Sequence, residues 1–171
     1  MNLYLIRHAE AVALGGAIIR DADRPLTERG IEDSKYVGKA LGRLDPGITI
    51  VLTSPLRRAR QTAENIAAAL KGHVVPRATE RLAPGFRAKA LLEELRTVGD
   101  APAVVMIGHQ PDLSMAIGHL IDGQSHVSIA MPPGSVARIR MSGASQSAEA
   151  HLQWLLTPDL LRSVVLQGNL P

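Results

Sequence analysis

At 171 residues the chain is long enough to bury a hydrophobic core without cross-links, and it predicts one domain across residues 1–171. The absence of cysteine excludes disulfides, thiolate nucleophiles and Cys-based zinc sites, and agrees with a cytoplasmic setting. A formal charge of +3 suits an anionic ligand as well as a solvated surface, while aromatics at 2% leave few rings on which nucleic-acid bases could stack.

Residues 1–6 are apolar, but Arg7, His8 and Glu10 interrupt the run before it reaches signal-peptide or membrane-span length, so it predicts a first strand and no membrane partner. Gly15-Gly16 opens a stretch with alternating Asp and Arg up to Pro25, the best candidate for a mobile loop. Thr27 is a plausible N-cap for a helix over residues 28–43, with Val37, Ala40, Leu41 and Leu44 at the spacing of a buried stripe. Residues 48–52 form a second apolar run. Ser54-Pro55 then reads as an N-cap with proline at the first helical position, and Leu56, Ala59, Ala63, Ile66, Ala67 and Leu70 form the core face. Ala88, Leu91, Leu92, Leu95 and Val98 predict another helix, and residues 103–107 another strand. A further helix follows Pro111, with Leu113, Ala116, Ile117, Leu120 and Ile121 on its inner face. Beyond Pro132-Pro133-Gly134, residues 136–141 and 152–156 predict an antiparallel pair joined by residues 143–149, and Pro158–Leu166 a closing helix.

The three apolar runs lack in/out alternation, as strands covered on both faces do. The order predicts an α/β three-layer sandwich with a mainly parallel sheet and a C-terminal antiparallel pair. Ligands of such sheets bind beyond the carboxyl ends of the strands. The residues found there are Arg7-His8, Thr53-Ser54-Pro55 and Gly108-His109. Either histidine alone would be read as a polar strand end, but two at equivalent positions, beside Arg57, Arg58 and Arg60, make a site for an anion. The helices after Ser54 and Pro111 would point free N–H groups at the same edge. Arg57 and Arg58 fall on opposite flanks of the apolar stripe, so periodicity does not choose between them.

The six histidines, His8, His73, His109, His119, His126 and His151, show no metal-binding spacing, and no metal or cofactor is expected. No Gly-x-Ser-x-Gly elbow surrounds Ser54, which leaves it a capping role, and no Gly-rich nucleotide fingerprint is present.

Four segments in order, Leu5-Ile6-Arg7-His8, Arg24-Pro25-Leu26-Thr27-Glu28-Arg29-Gly30, Ser54-Pro55-Leu56-Arg57-Arg58-Ala59 and Gly108-His109-Gln110-Pro111, resemble the histidine phosphatase superfamily, also called phosphoglycerate mutase-like. The short chain and the ending Leu152-Gln153-Trp154-Leu155-Leu156-Thr157-Pro158 resemble its SixA branch, whose members remove phosphate from phosphohistidine in proteins. The resemblance implies a phosphoglycerate mutase-like fold, His8 as the nucleophile, Arg7 and Arg58 as phosphate ligands, His109 as the second histidine and Arg24 as a further substrate-binding arginine. Ala9 departs from the glycine that usually follows the nucleophile.

The implied activity is a metal-independent phosphohistidine phosphatase working through phospho-His8, with neutral His8 and, once phosphate is bound, protonated His109. The implied partner is a phosphorylated protein, such as a histidine phosphotransfer domain, and no nucleic acid; the oligomeric state is left open. A small-molecule phosphomonoesterase and a non-catalytic phospholigand-binding protein are the alternatives. Family members that cleave phosphoesters place a carboxylic acid near the pocket. Glu80 is the candidate here, and pairing with Arg81 at the surface would remove it from that role.

Overall fold

The computed structural model describes residues 1–123, 129–144 and 148–166. Its strands are β1 (Asn2–Arg7), β2 (Ile48–Thr53), β3 (Arg77–Ala78), β4 (Ala103–Gly108), β5 (Val136–Met141) and β6 (Ala150–Leu156). Its helices are α1 (Glu28–Leu44), α2 (Arg57–Ala67), α3 (Ala88–Arg96), α4 (Asp112–Asp122) and α5 (Pro158–Leu166). Short 3-10 turns cover Asp21–Asp23 and Glu80–Leu82. No described helix is long and apolar enough to cross a membrane.

One sheet runs in the order β3-β2-β4-β1-β5-β6, parallel from β3 to β1 and antiparallel at β5 and β6. The missing alternation has a direct cause in packing. Leu3 and Leu5 of β1 face α3 and α4, while Tyr4 and Ile6, which alternate with them, face α1, α2 and α5, so both sides of the strand are dry. In β5, Ala137, Ile139 and Met141 are buried, whereas Arg138 is half-buried and Arg140 exposed. The three-layer α/β sandwich and the C-terminal antiparallel pair follow from this arrangement. Of the expected β5–β6 connection, residues 145–147 lie outside the described residues, as does His126.

Two expectations need correction. Ser54 does not cap α2, which starts three residues later with Leu56 at the N-cap position and no side-chain cap. Nor does α4 present all its first N–H groups to ligand: those of Leu113 and Ser114 are taken by His109 O and the Gln110 side chain. β3 gave no sequence signal because its two residues are exposed and carry no apolar run.

Thr27 caps α1 as expected, its hydroxyl accepting the Gly30 N–H at 3.0 Å. The same residue ties α1 to the segment after His8, its own N–H donating to Glu10 O at 3.0 Å. A Cβ at Gly30 would lie 2.1 Å from that carbonyl oxygen, so only glycine permits this approach. Gly134, at a positive φ of 80°, performs a comparable service at the other side: its N–H reaches both Arg7 O and His8 O.

Candidate active site

β1 and β4 are adjacent and parallel, with Arg7 opposite Gly108, so the residues that follow, His8 and His109, leave the sheet side by side. Their ring centroids are 5.1 Å apart. Both are buried, at 9% and 3% exposure, at the base of an open cleft of ≈ 300 Å³ that is also lined by Arg7, Glu10, Asp21, Arg24, Arg58 and Pro84. A comparable cleft at the amino ends of the strands, lined by Arg96, Asp100 and Ala101, holds no histidine.

The His8 ring has one consistent tautomer. Its Nδ1 lies 2.8 Å from Ala9 O, a pure acceptor, so Nδ1 carries the proton. Nε2 accepts from Arg58 Nε at 3.1 Å and therefore offers a lone pair. Burial, followed by the positive charges of Arg58, Arg7 and Arg24, pushes the His8 pKa down to about 4, outweighing the opposing effect of the Ala9 hydrogen bond. The imidazole is thus neutral at pH 7, and desolvation contributes more to this than the arginines do. Ala9 itself adopts no positive φ, so the missing glycine costs no backbone strain. Its N–H donates to Thr62 Oγ1 at 3.1 Å, and Thr62 in turn donates to Arg58 O at 2.7 Å, which couples the nucleophile's loop to α2.

Arg57 and Arg58, indistinguishable by periodicity, separate clearly. Arg58 is 5% exposed and enters the cleft, whereas Arg57 is exposed and, among the described residues, reaches only Asp23 O at 3.4 Å. Besides His8, Arg58 contacts Asp21: Nη1 donates to the backbone oxygen at 2.8 Å and Nη2 to the carboxylate at 3.0 Å. Arg24 donates from Nη1 to the other Asp21 carboxylate oxygen at 3.0 Å and from Nε to Val12 O at 2.6 Å. Residues 21–24 of this candidate mobile loop therefore lie across the cleft as a strap, with Asp21 as its clasp. Arg7 donates from Nη1 to Met131 O at 2.8 Å, and its buried Nε has no partner among the described residues.

His109 holds its Nε2 2.8 Å from Ser54 Oγ and its Nδ1 3.4 Å from Arg58 Nη2. Because a guanidinium only donates, Nδ1 is the lone-pair side and Nε2–H donates to Ser54. Ser54 thus orients His109, the function that replaces its expected capping. Burial first, then the neighbouring His8 and Arg58, lowers the His109 pKa to about 3, so the ring is neutral while the cleft holds no phosphate.

All five residues singled out in the sequence, Arg7, His8, Arg24, Arg58 and His109, line the cleft. Glu80 does not: it is exposed at the start of its 3-10 turn. Nor does it pair with Arg81, which instead contacts Glu93 and the buried Glu94 at 3.6 and 3.2 Å. Sequence reading missed Asp21, Ser54 as a partner of His109, and Thr62. The Asp/Arg alternation around Asp21 was the one available signal.

Residues 3–84 match the model of the histidine phosphatase superfamily (branch 1). An uncharacterized protein of Picosynechococcus sp. is 38% identical over 153 residues, covering 88% of this chain and 90% of the relative. The chain belongs to the histidine phosphatase superfamily. Within that superfamily it is similar to the phosphohistidine phosphatase SixA of Escherichia coli, at 28% identity across 92% of this chain and 94% of the relative. The structure of the protein histidine phosphatase SixA complexed with tungstate superposes with a TM-score of 0.81 at 24% identity, covering 94% of this chain and 99% of that one. The phosphoglycerate mutase-like sandwich of this histidine phosphatase is accordingly the SixA fold.

Proposed function

We propose that this histidine phosphatase, acting as one domain, hydrolyses phosphohistidine in proteins through a phospho-His8 intermediate. The observation that carries the reading is the His8 ring, whose proton is held at Nδ1 by Ala9 O while the Nε2 lone pair faces a cleft with three arginines. Substrate phosphate takes the place of His8 Nε2 as the partner of Arg58. Nε2 then attacks phosphorus as the bond to the leaving nitrogen breaks; the substrate imidazole, protonated from solvent on its other ring nitrogen, takes that electron pair and departs neutral. Arg7, Arg24 and Arg58 neutralise the equatorial oxygens, and the dianion raises the His109 pKa so that Nδ1–H joins them. Water next attacks the phosphorus of phospho-His8, returning the electron pair to Nε2 and releasing its proton with inorganic phosphate.

The choice of leaving group rests on the carboxylates. An alkoxide needs a strong acid to depart, whereas an imidazole, with a conjugate-acid pKa of about 6.5, is protonated readily near neutral pH. Glu80 stands outside the cleft, and the hydrogen bond from Arg24 together with the charge of Arg58 keeps the Asp21 carboxyl below its ordinary range, ionised and unfit as an acid. A small-molecule phosphomonoesterase draws support only from Glu10, which lines the cleft rim and lies 4.0 Å from Arg29.

Turnover should be compared on a phosphohistidine protein, a phosphoserine peptide and alkyl phosphates, with phosphate trapped on His8 by rapid quench. Faster turnover of phosphohistidine, unaffected by EDTA and nearly unchanged in Glu80→Gln, is the expected result. Faster alkyl-phosphate hydrolysis that collapses in Glu80→Gln or Glu10→Gln would make the protein a phosphomonoesterase. His8→Ala should retain its fold and lose turnover; a folded variant with normal activity refutes the nucleophile.

A further inference from the structure

Each of the three nitrogens of Arg58 already has an acceptor: His8 Nε2 at 3.1 Å, Asp21 O at 2.8 Å and Asp21 Oδ2 at 3.0 Å. The second carboxylate oxygen of Asp21 accepts from Arg24 at 3.0 Å. One carboxylate thus spans two arginines, as two oxygens of a phosphoryl group would. We propose that Asp21 is a specificity-determining residue, an internal stand-in for substrate phosphate that admits doubly charged phosphoryl groups to Arg58 and Arg24 and turns away singly charged anions. The inference rests on the reading of this cleft as a phosphoryl site and concerns which anions can enter it.

Charge balance carries the argument. A singly charged ligand that displaces Asp21 exchanges one anion for another on the same two arginines and gains little. A dianion brings a second negative charge and a third oxygen into the field of Arg7, whose buried Nε has no partner among the described residues, so its exchange is favourable. Displacement also leaves the core intact. The Asp21–Asp23 turn contains no buried residue, and the Asp21 side chain is 51% exposed, so the carboxylate can swing into water without opening apolar surface. The cost of that exchange falls on every ligand, which lowers apparent affinity in proportion to how well the clasp competes.

Asp23 supplies a control, since it carries the same charge on the same turn but pairs with Arg20 at 3.6 Å instead of Arg58 or Arg24. Isothermal titration at pH 8 with inorganic phosphate and, separately, with formate would compare wild type, Asp21→Asn, Asp21→Ala and Asp23→Asn. Both Asp21 variants should bind phosphate on the order of tenfold more tightly and acquire measurable formate binding, because a competing anion with two charge-assisted contacts is gone. Asp23→Asn should match wild type. Equal or weaker phosphate binding in both Asp21 variants overturns the inference and makes Asp21 a support for Arg58. An equal gain in Asp23→Asn overturns it in favour of a diffuse charge effect, and formate binding to wild type as tight as to Asp21→Asn overturns the charge selection. Failure of all four proteins to bind phosphate overturns the phosphoryl-site reading as well.

Discussion

Arg57 and Arg58 are consecutive, identical in charge and placed on the same helical turn, yet their surroundings differ completely. Arg58 is desolvated and hydrogen-bonded to His8, while Arg57 is in water. A charge-assisted contact made in a buried site is worth roughly 1.5–3 kcal/mol, against at most about 1 kcal/mol for an exposed charge. Arg58→Ala should therefore lower kcat/KM by one to two orders of magnitude or more, and Arg57→Ala by less than about fivefold. Equal losses in steady-state kinetics would refute this assignment. For the same pair helical periodicity put both on flanks of the apolar stripe, and only the motif resemblance favoured Arg58. Solvent exposure decided between them, and exposure is a property of what packs around α2.

At the scale of elements, the site depends on how closely the segment after β1 approaches α1. Gly30 is the point of closest approach, and a methyl group there would sit 2.1 Å from the Glu10 carbonyl. Relief requires moving the backbone two residues beyond His8, and with it Ala9, whose carbonyl holds the His8 tautomer. Overpacking of this kind costs about 1–3 kcal/mol. Gly30→Ala should lower the urea midpoint accordingly and reduce turnover by a larger factor than the stability loss explains, measured where the variant remains folded. A variant with wild-type turnover would show that this contact does not position His8. The Arg-Gly at residues 29–30 was legible as part of a motif, but the reason for glycine lies in a neighbour 20 residues away in sequence.

At the scale of the whole molecule, two neutral histidines are buried together beneath three arginines. Their folded pKa values, about 4 for His8 and about 3 for His109, lie below the unfolded value near 6.5. Between pH 6.5 and about 4 the unfolded chain binds more protons than the native one, so this contribution is complete above pH 6.5 and is lost as the pH falls. For His8 it amounts to roughly 3 kcal/mol. Urea unfolding as a function of pH should show a steep loss across this window, and His8→Asn should flatten it. Identical slopes in the variant and wild type would show that the histidines titrate normally.

What the sequence determined by itself is the part written in local pattern. Apolar runs of strand length without alternation require a sheet covered on both faces, and the residues after three of them, with the motif resemblance, marked Arg7, His8, Arg24, Arg58 and His109. What only the tertiary structure decided is which groups meet them. Asp21 reaches Arg58 across 37 positions and Ser54 reaches His109 across 55, contacts that no local periodicity encodes. Glu80 and Asp21 are both carboxylates on short 3-10 turns, and only the path of the chain over the carboxyl end of the sheet leaves one in water and lays the other between two arginines.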